Sequence, residues 1–301
     1  MTEGRIIKAL AGYYYVAVSC TDGVYGKIYQ CRGRGILRHD GQSPLVGDLV
    51  RVTPQDEEEA VVEEILPRVN AFIRPPVANV DLFLVTVAAA DPAPSLDLTD
   101  RFLVTAEAAR ADAAVLVNKD DLSPAAAKRI ARVYEGIYPV LLLSAKTGDG
   151  VEALRRLVCG RRCAFAGASG VGKTSLLALL TGESDLVHVT GDVSAKTRRG
   201  KHTTRHVEIH ALADGTMLYD TPGFSSFEAD RASDLTEETP DRFFPEFAAF
   251  LGACRFDDCV HENEPDCAVR LAVEDGKIGR SRYQSYVGLR NALQEAERNK
   301  Y

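Results

Sequence analysis

In this chain the run Asn118-Lys119-Asp120-Asp121 comes before the glycine-rich run Gly167-Ala168-Ser169-Gly170-Val171-Gly172-Lys173-Thr174. Both runs are nucleotide-binding signatures, and in most proteins that carry the pair the glycine-rich run comes first. A sheet built in this order lays down its base-reading strands before its phosphate-binding strand. The order therefore constrains the fold to a circularly permuted α/β nucleotide-binding domain, which few families possess.

The hydrophobic pattern agrees. Leu82 to Val87 is a continuous apolar run of the kind that forms a central parallel strand. Helical and strand patterns then alternate through Leu98 to Ala109, Ala113 to Val117, Pro124 to Tyr134, Val140 to Leu143, Val151 to Val158, Cys163 to Ala166 and Thr174 to Leu180, which predicts a βα series with a parallel sheet. Upstream, Ile6 to about Val62 breaks into short strand-like stretches such as Tyr13 to Val18, Val24 to Gln30 and Asp48 to Thr53. They predict a small β-barrel, the oligonucleotide-binding type being one option. Its Tyr13, Tyr14, Tyr15, Arg32, Arg34 and Arg38 either offer RNA a basic, aromatic face or simply pack and solvate the barrel. Pro67 to Pro76 reads as a linker. Beyond Gly223 the composition turns acidic and aromatic, then passes through a Cys/His cluster to a terminal helix from about Ser281 to Asn299.

The glycine-rich run lies between a predicted strand and a predicted helix, where backbone N–H groups curl around phosphates at a helix N-terminus. Gly167, Ala168, Ser169, Gly170, Val171 and Gly172 form this cradle, Lys173 reaches the β- and γ-phosphates, and the Thr174 hydroxyl, with Ser175 beside it, faces Mg²⁺. Asn118, Lys119, Asp120 and Asp121 follow an apolar strand and so stand at its carboxyl end, where such sheets bind ligands. The Asp121 carboxylate can accept from both guanine N1–H and its exocyclic amine, a pair that adenine does not offer, while Lys119 covers the base plane; this predicts GTP over ATP. Ser144-Ala145-Lys146 ends the next strand, where the Ala145 N–H can meet the guanine O6. Asp220-Thr221-Pro222-Gly223 stands where Mg²⁺ and the γ-phosphate are sensed, with Asp220 toward the ion through water and the Gly223 N–H toward the phosphate. The next residue is Phe224, which cannot orient an attacking water as a glutamine there would. That task falls to the segment Gly200 to Arg205: Thr204, or alternatively Thr203, completes the Mg²⁺ shell, and His202 positions the water or else faces RNA.

Cys254, Cys259, His261 and Cys267 give C-x4-C-x-H-x5-C, the Cys₃His set of a closed, structural Zn²⁺ site. Cys20, Cys31, Cys159 and Cys163 lack such spacing and are expected to be buried thiols. Seven cysteines in all, with no apolar stretch suited to a signal peptide or a membrane span, predict a cytoplasmic protein without a disulfide framework. A formal charge of -7 excludes any global pull toward nucleic acid, so an RNA partner must be met by local basic patches.

These pieces together resemble the RsgA (YjeQ/YloQ) family of bacterial small-ribosomal-subunit GTPases. The resemblance is carried by Ile73-Arg74-Pro75-Pro76-Val77-Ala78-Asn79-Val80-Asp81, the permuted order, Gly200-Lys201-His202-Thr203-Thr204-Arg205-His206-Val207-Glu208, Asp220-Thr221-Pro222-Gly223-Phe224 and the Cys₃His spacing. It implies an OB-fold over 1–68, a circularly permuted GTPase domain over 69–228 and a mainly helical zinc-binding domain over 229–301. It further implies a protein, expected here as a monomer, that binds the 30S subunit and its 16S rRNA during late maturation, with hydrolysis of GTP to GDP stimulated by the subunit and His202 as the switch histidine. Two other readings stay open: a nucleotide-gated RNA-binding module whose turnover is incidental, and a P-loop kinase or ATPase, which Asp121 argues against. The permutation also sends the chain from the second switch straight into the Cys/His region, so nucleotide state is expected to bear on that region.

Overall fold

In the computed structural model the described residues are 1–21, 24–33, 43–72, 75–182, 207–221 and 240–298. Along them run β1 (Thr2–Leu10), β2 (Tyr13–Thr21), β3 (Val24–Gly33), β4 (Leu49–Pro54), β5 (Glu59–Ile65), β6 (Ala71–Phe72), β7 (Val77–Ala78), β8 (Leu82–Ala88), α1 (Leu96–Ala108), β9 (Asp112–Asn118), α2 (Pro124–Tyr134) and β10 (Val140–Leu142). There follow α3 (Val151–Val158), β11 (Arg162–Ala166), α4 (Lys173–Leu180), β12 (Glu208–Ala211), β13 (Met217–Asp220), α5 (Ala268–Glu274) and α6 (Arg280–Arg298). The described residues of 1–83, 151–165 and 173–224 form one compact body, and those of 84–150, 166–172 and 225–301 a second.

In the first body β1 pairs antiparallel with both β2 and β4, β2 with β3, and β4 with β5, while β3 runs parallel to β5. These pairings close a five-stranded ring, which removes the free edges that an open sheet of this size would expose. Alternation fills it: Ile6, Val16, Cys31, Val50, Val52 and Val62 are all fully buried. The stretch expected to be a linker is more ordered than that. β6 and β7 pair as a two-stranded ladder, and Asn70 and Asn79 flank it with buried side chains bonded to the backbone at Val80 and Gly47. Two-residue strands lie below any periodicity a sequence can display. In the same body β11 runs parallel to β13, β12 pairs antiparallel with β13, and β12 meets barrel strand β1 at Lys8 and Glu208.

The second body is built on β10, β9 and β8 in that order, β10 parallel to β9. Every residue of β8 is buried, and all but Thr86 are apolar, as suits a strand covered on both faces. Helix α1 begins at Ser95, whose hydroxyl accepts from the Leu98 N–H as an N-cap. The described C-terminal region consists of short 3-10 turns, α5 and α6. Its core of Phe243, Phe244, Phe247, Val269, Ala272, Ile278, Tyr286 and Leu289 incorporates Val104 of α1. Among the described residues no helix is long and apolar enough to cross a membrane.

Candidate nucleotide site and metal centre

The base-reading elements and the phosphate loop meet on one side chain. Asn118, at the end of β9, is 1% exposed. Its Nδ2 donates to the Val171 carbonyl at 2.8 Å, and its Oδ1 accepts from the Ala145 N–H at 3.0 Å. One amide thus ties the guanine-reading run to the phosphate loop and to the Ser144 loop. Gly172 lets it do so, because a Cβ there would stand 2.2 Å from Asn118 Nδ2 and the residue has φ +98. The Ala145 N–H, expected to face the base, is used within this lattice instead. Ser144, buried, donates through Oγ to Asp121 Oδ1 at 2.7 Å, so it fixes the rotation of the carboxylate whose other oxygen is left for a ligand. Lys119 takes the left-handed conformation, φ +62, and its ammonium bonds to the Asp91 carbonyl. Asp120 opens a 3-10 turn through Leu122, and Lys146 is exposed. In the loop itself Gly167 and Val171 are buried, Ala168 is half-buried, and Ser169 and Gly170 face outward.

The first body carries the other residues that the nucleotide motifs single out. Lys173 opens α4 immediately after the loop, and burial pushes its ammonium down to about 8. Thr174 and Ser175 follow it with exposed side chains, and Asp220, also exposed, ends β13. A hydroxyl and a carboxylate are the hard oxygen donors that Mg²⁺ takes, so the set fits that ion. His202, Thr203, Thr204 and Gly223 lie outside the described residues, as do Arg34 and Arg38. Of the barrel's candidate RNA face, Arg32 lies over the Tyr13 ring at 4.8 Å, and Tyr13, Tyr14 and Tyr15 are half-buried.

Cys254, Cys259, His261 and Cys267 converge so that one ligand atom from each lies within 4.8 Å of the others. His261 Nδ1 is 3.5, 3.4 and 3.4 Å from the three sulfurs, and Cys254 and Cys267 are 3.9 Å apart. A tetrahedral Zn²⁺ site has S···N edges of about 3.5 Å and S···S edges of about 3.8 Å, so the donor set fits zinc in chemistry and in size. The sequence did not mark the groups around it. Asp241 Oδ2 stands 3.4 Å from His261 Nε2 and orients the ring with Nδ1 toward the thiols. Glu264 accepts from the N–H groups of Val260, Glu262 and Asn263; against a desolvation penalty, these bonds hold its carboxyl at about 2. Tyr283 and Tyr286 of α6 donate to the carbonyls of His261 and Val260, both at 2.7 Å. Of the cysteines expected to be buried, Cys31 and Cys163 are, but Cys159, which follows the last turn of α3, is exposed.

Comparison with known proteins follows the same lines. The RsgA GTPase family model matches residues 65–230, and the RsgA N-terminal domain model matches residues 3–62. The small ribosomal subunit biogenesis GTPase RsgA of Geobacillus thermodenitrificans is 43% identical, across 98% of this chain and 98% of its own. That of Alkaliphilus metalliredigens is 41% identical, across 99% and 100%. Among solved structures, YjeQ from Thermotoga maritima matches with a TM-score of 0.79 at 30% identity, covering 97% of this chain and 98% of its own. YloQ, described as a circularly permuted GTPase, matches with a TM-score of 0.78 at 36% identity, covering 98% and 96%.

Proposed function

This chain belongs to the RsgA GTPase family and hydrolyses GTP, and we propose that it does so while bound to the 30S ribosomal subunit during late maturation, with turnover stimulated by the subunit. The observation that carries the nucleotide assignment is Asn118, whose amide joins the base-reading run, the phosphate loop and the Ser144 loop. A lattice of this kind serves a ligand that spans all three. In this reading Asp121, held by Ser144, accepts from guanine; the amides of Gly167 to Gly172 cradle the phosphates; and Lys173, partly desolvated in advance, gains strongly from an anionic partner. Thr174 and Asp220, with Thr204, hold Mg²⁺. The ion, when bound, neutralises charge on the phosphates. Gly223 donates its N–H to the γ-phosphate, and His202 orients the attacking water because Phe224 offers no polar atom.

The zinc set serves folding of the C-terminal region, since four protein ligands leave no open position for chemistry. The functional division is taken as 1–68 for RNA binding, 69–228 for GTP and 229–301 for zinc, supported by the extents of the two family models. The partner in this reading is the 30S subunit with its 16S rRNA, met by a monomer in the cytoplasm; the relatives' names support the small-subunit part of it.

The test is GTP turnover with 30S, 50S and 70S particles, for the wild type and His202→Ala. The proposal expects strong stimulation by 30S alone and a fall in the stimulated kcat of roughly 10²-fold in the variant, with GTP affinity and subunit binding retained. Slow turnover unaltered by 30S, with nucleotide-dependent subunit binding, would instead make the protein a gated RNA-binding module.

A further inference from the structure

Asp220 is held from the barrel by two routes. The first runs through the sheet: Asp220 is the register partner of Glu208, and Glu208 is the register partner of Lys8 on β1, with a 3.0 Å ion pair between their side chains. The second runs through the preceding residue. Tyr219 is fully buried, and its hydroxyl donates to the Ala78 carbonyl at 2.9 Å with the Asn79 carbonyl at 3.4 Å. Those carbonyls belong to the stretch that leads out of the barrel, and that stretch is itself fastened. The Ala78 N–H donates to the Val46 carbonyl at 2.9 Å, while Asn79 Nδ2 and Arg5 Nη1 both donate to the Gly47 carbonyl, at 3.1 and 2.7 Å.

Gly47 makes room for the contact. Its φ is +98, and a Cβ there would stand 2.1 Å from the Ala78 oxygen and 2.5 Å from the Tyr219 hydroxyl. Both approaches are closer than any side chain tolerates, so the phenol head occupies a slot that the barrel loop leaves open. Burial raises the phenol's pKa, which favours the neutral, donating form. A fully buried hydroxyl that spends its only proton on a backbone carbonyl fixes the axial position of its strand. The next residue along that strand is Asp220.

We propose that Tyr219 is a positioning residue through which the barrel, by way of Gly47 and Ala78, sets the reach of the Asp220 carboxylate toward magnesium. The proposal rests on the assignment of Asp220 made above. It gives the barrel a role inside the nucleotide site: a shift of the loop at Gly47 moves the end of β13 that carries the metal-facing carboxylate.

Two variants approach the contact from opposite sides. Tyr219→Phe keeps the ring and removes the hydroxyl; Gly47→Ala fills the slot. The readout is equilibrium binding of a fluorescent, non-hydrolysable GTP analogue as Mg²⁺ is varied, alongside GDP binding in EDTA. Each variant is expected to raise the half-saturating Mg²⁺ concentration roughly three- to tenfold, the scale of one hydrogen bond, and to leave GDP affinity in EDTA unchanged. The double variant goes no further than the larger single one, because both break one contact. Val16→Ala, a cavity in the fully buried barrel core, is the control that lowers stability without moving the Mg²⁺ dependence. A folded Tyr219→Phe protein with wild-type Mg²⁺ dependence, or one that shifts no more than Val16→Ala, overturns the proposal. A wild-type protein whose analogue binding ignores Mg²⁺ overturns the Asp220 assignment itself, and the proposal with it.

Discussion

Replacing Arg282 by methionine should loosen the whole C-terminal region. Arg282, on α6, is fully buried. Its Nη1 donates to Asp100 Oδ1 on α1 at 2.7 Å, and its Nε and Nη2 donate to the two oxygens of Glu246 at 2.7 and 3.2 Å. The guanidinium carbon lies 4.7 Å from the centre of the Phe244 ring and 5.8 Å from that of Tyr134. Burial works against the charge, but Asp100 and Glu246 outweigh it and raise the pKa of the guanidinium. Methionine fills most of the volume, so the loss is electrostatic: Asp100, 1% exposed, and Glu246, 8% exposed, are left as buried carboxylates without their cation. Removing one partner of such a buried set costs about 3–5 kcal/mol, against ~1 kcal/mol or less for an exposed pair. Hydrogen exchange followed by mass spectrometry reads the region directly: protection of the α6 amides should fall roughly 10²- to 10³-fold. Burial already raises the pKa of Asp100, and the variant removes the cation that opposes this rise, so the defect should shrink as pH falls from 7 toward 5. Adding Asp100→Asn and Glu246→Gln should recover much of the loss while leaving Tyr134 an acceptor. A drop in protection below about fivefold at neutral pH would refute the reasoning, since that is the value of a solvent-screened pair.

Three other expectations follow from the site. Asp121→Asn should shift preference from guanine toward xanthine, because the new N–H₂ faces the xanthine O2. Competition binding with GTP, XTP and ATP checks this, and guanine selectivity should fall by roughly 10²-fold. Cys259→Ala should lose one zinc equivalent by metal analysis and loosen residues 240–298 while GTP still binds, since a complete site contributes on the order of 10 kcal/mol to folding. Lys173, held near 8 in the free protein, must be charged to meet phosphate, so GDP affinity should fall as pH rises through about 8, by titration between pH 7 and 9.5. The stability of the free protein moves the other way: its folded pKa is depressed, so the unfolded chain binds the extra proton between about pH 8 and 10.4, and stability rises across that window.

What could be read from the sequence was whatever local spacing encodes. The guanine-reading run and the phosphate loop each sit within a window of some ten residues, each element of the βα alternation is legible from its own short window, and the barrel's short strands carry alternation enough to be recognised as such. The four cysteine and histidine positions lie within fourteen residues and were found for the same reason. Arg282 and Asp100 are 182 positions apart, and no periodicity links an arginine in a polar helix to an aspartate in another. Asp241 escaped because a carboxylate behind a metal-binding histidine follows no spacing rule; only the fold brings it to Nε2. That the Ser144 hydroxyl orients Asp121 depends on a rotamer rather than on a motif, so the run Ser144-Ala145-Lys146 does not announce it.

The permuted order led to the expectation that nucleotide state reaches the Cys/His region through the chain that leaves the second switch. The packing adds an attachment that the chain order does not show. From Pro240 onward the described residues build an apolar core that takes in Val104 of α1, and they lock to Asp100 of the same helix through Arg282. The first turns of α1 face the phosphate loop: Ser95, Leu98, Thr99 and Phe102 line a small cavity whose other wall is Gly167, Ala168 and Val171. The zinc loop, pinned to α6 by Tyr283 and Tyr286, is thereby joined through one helix to the backing of the phosphate loop within a single body. A buried ionic cluster is a poor source of net stability compared with apolar packing, but it tolerates little sliding, because each donor must keep its acceptor. Such a lock suits a helix that has to hold one register against the element behind a ligand. The zinc site and the phosphate loop therefore back onto one helix, α1, through which nucleotide state is expected to bear on the Cys/His region in addition to the route along the chain.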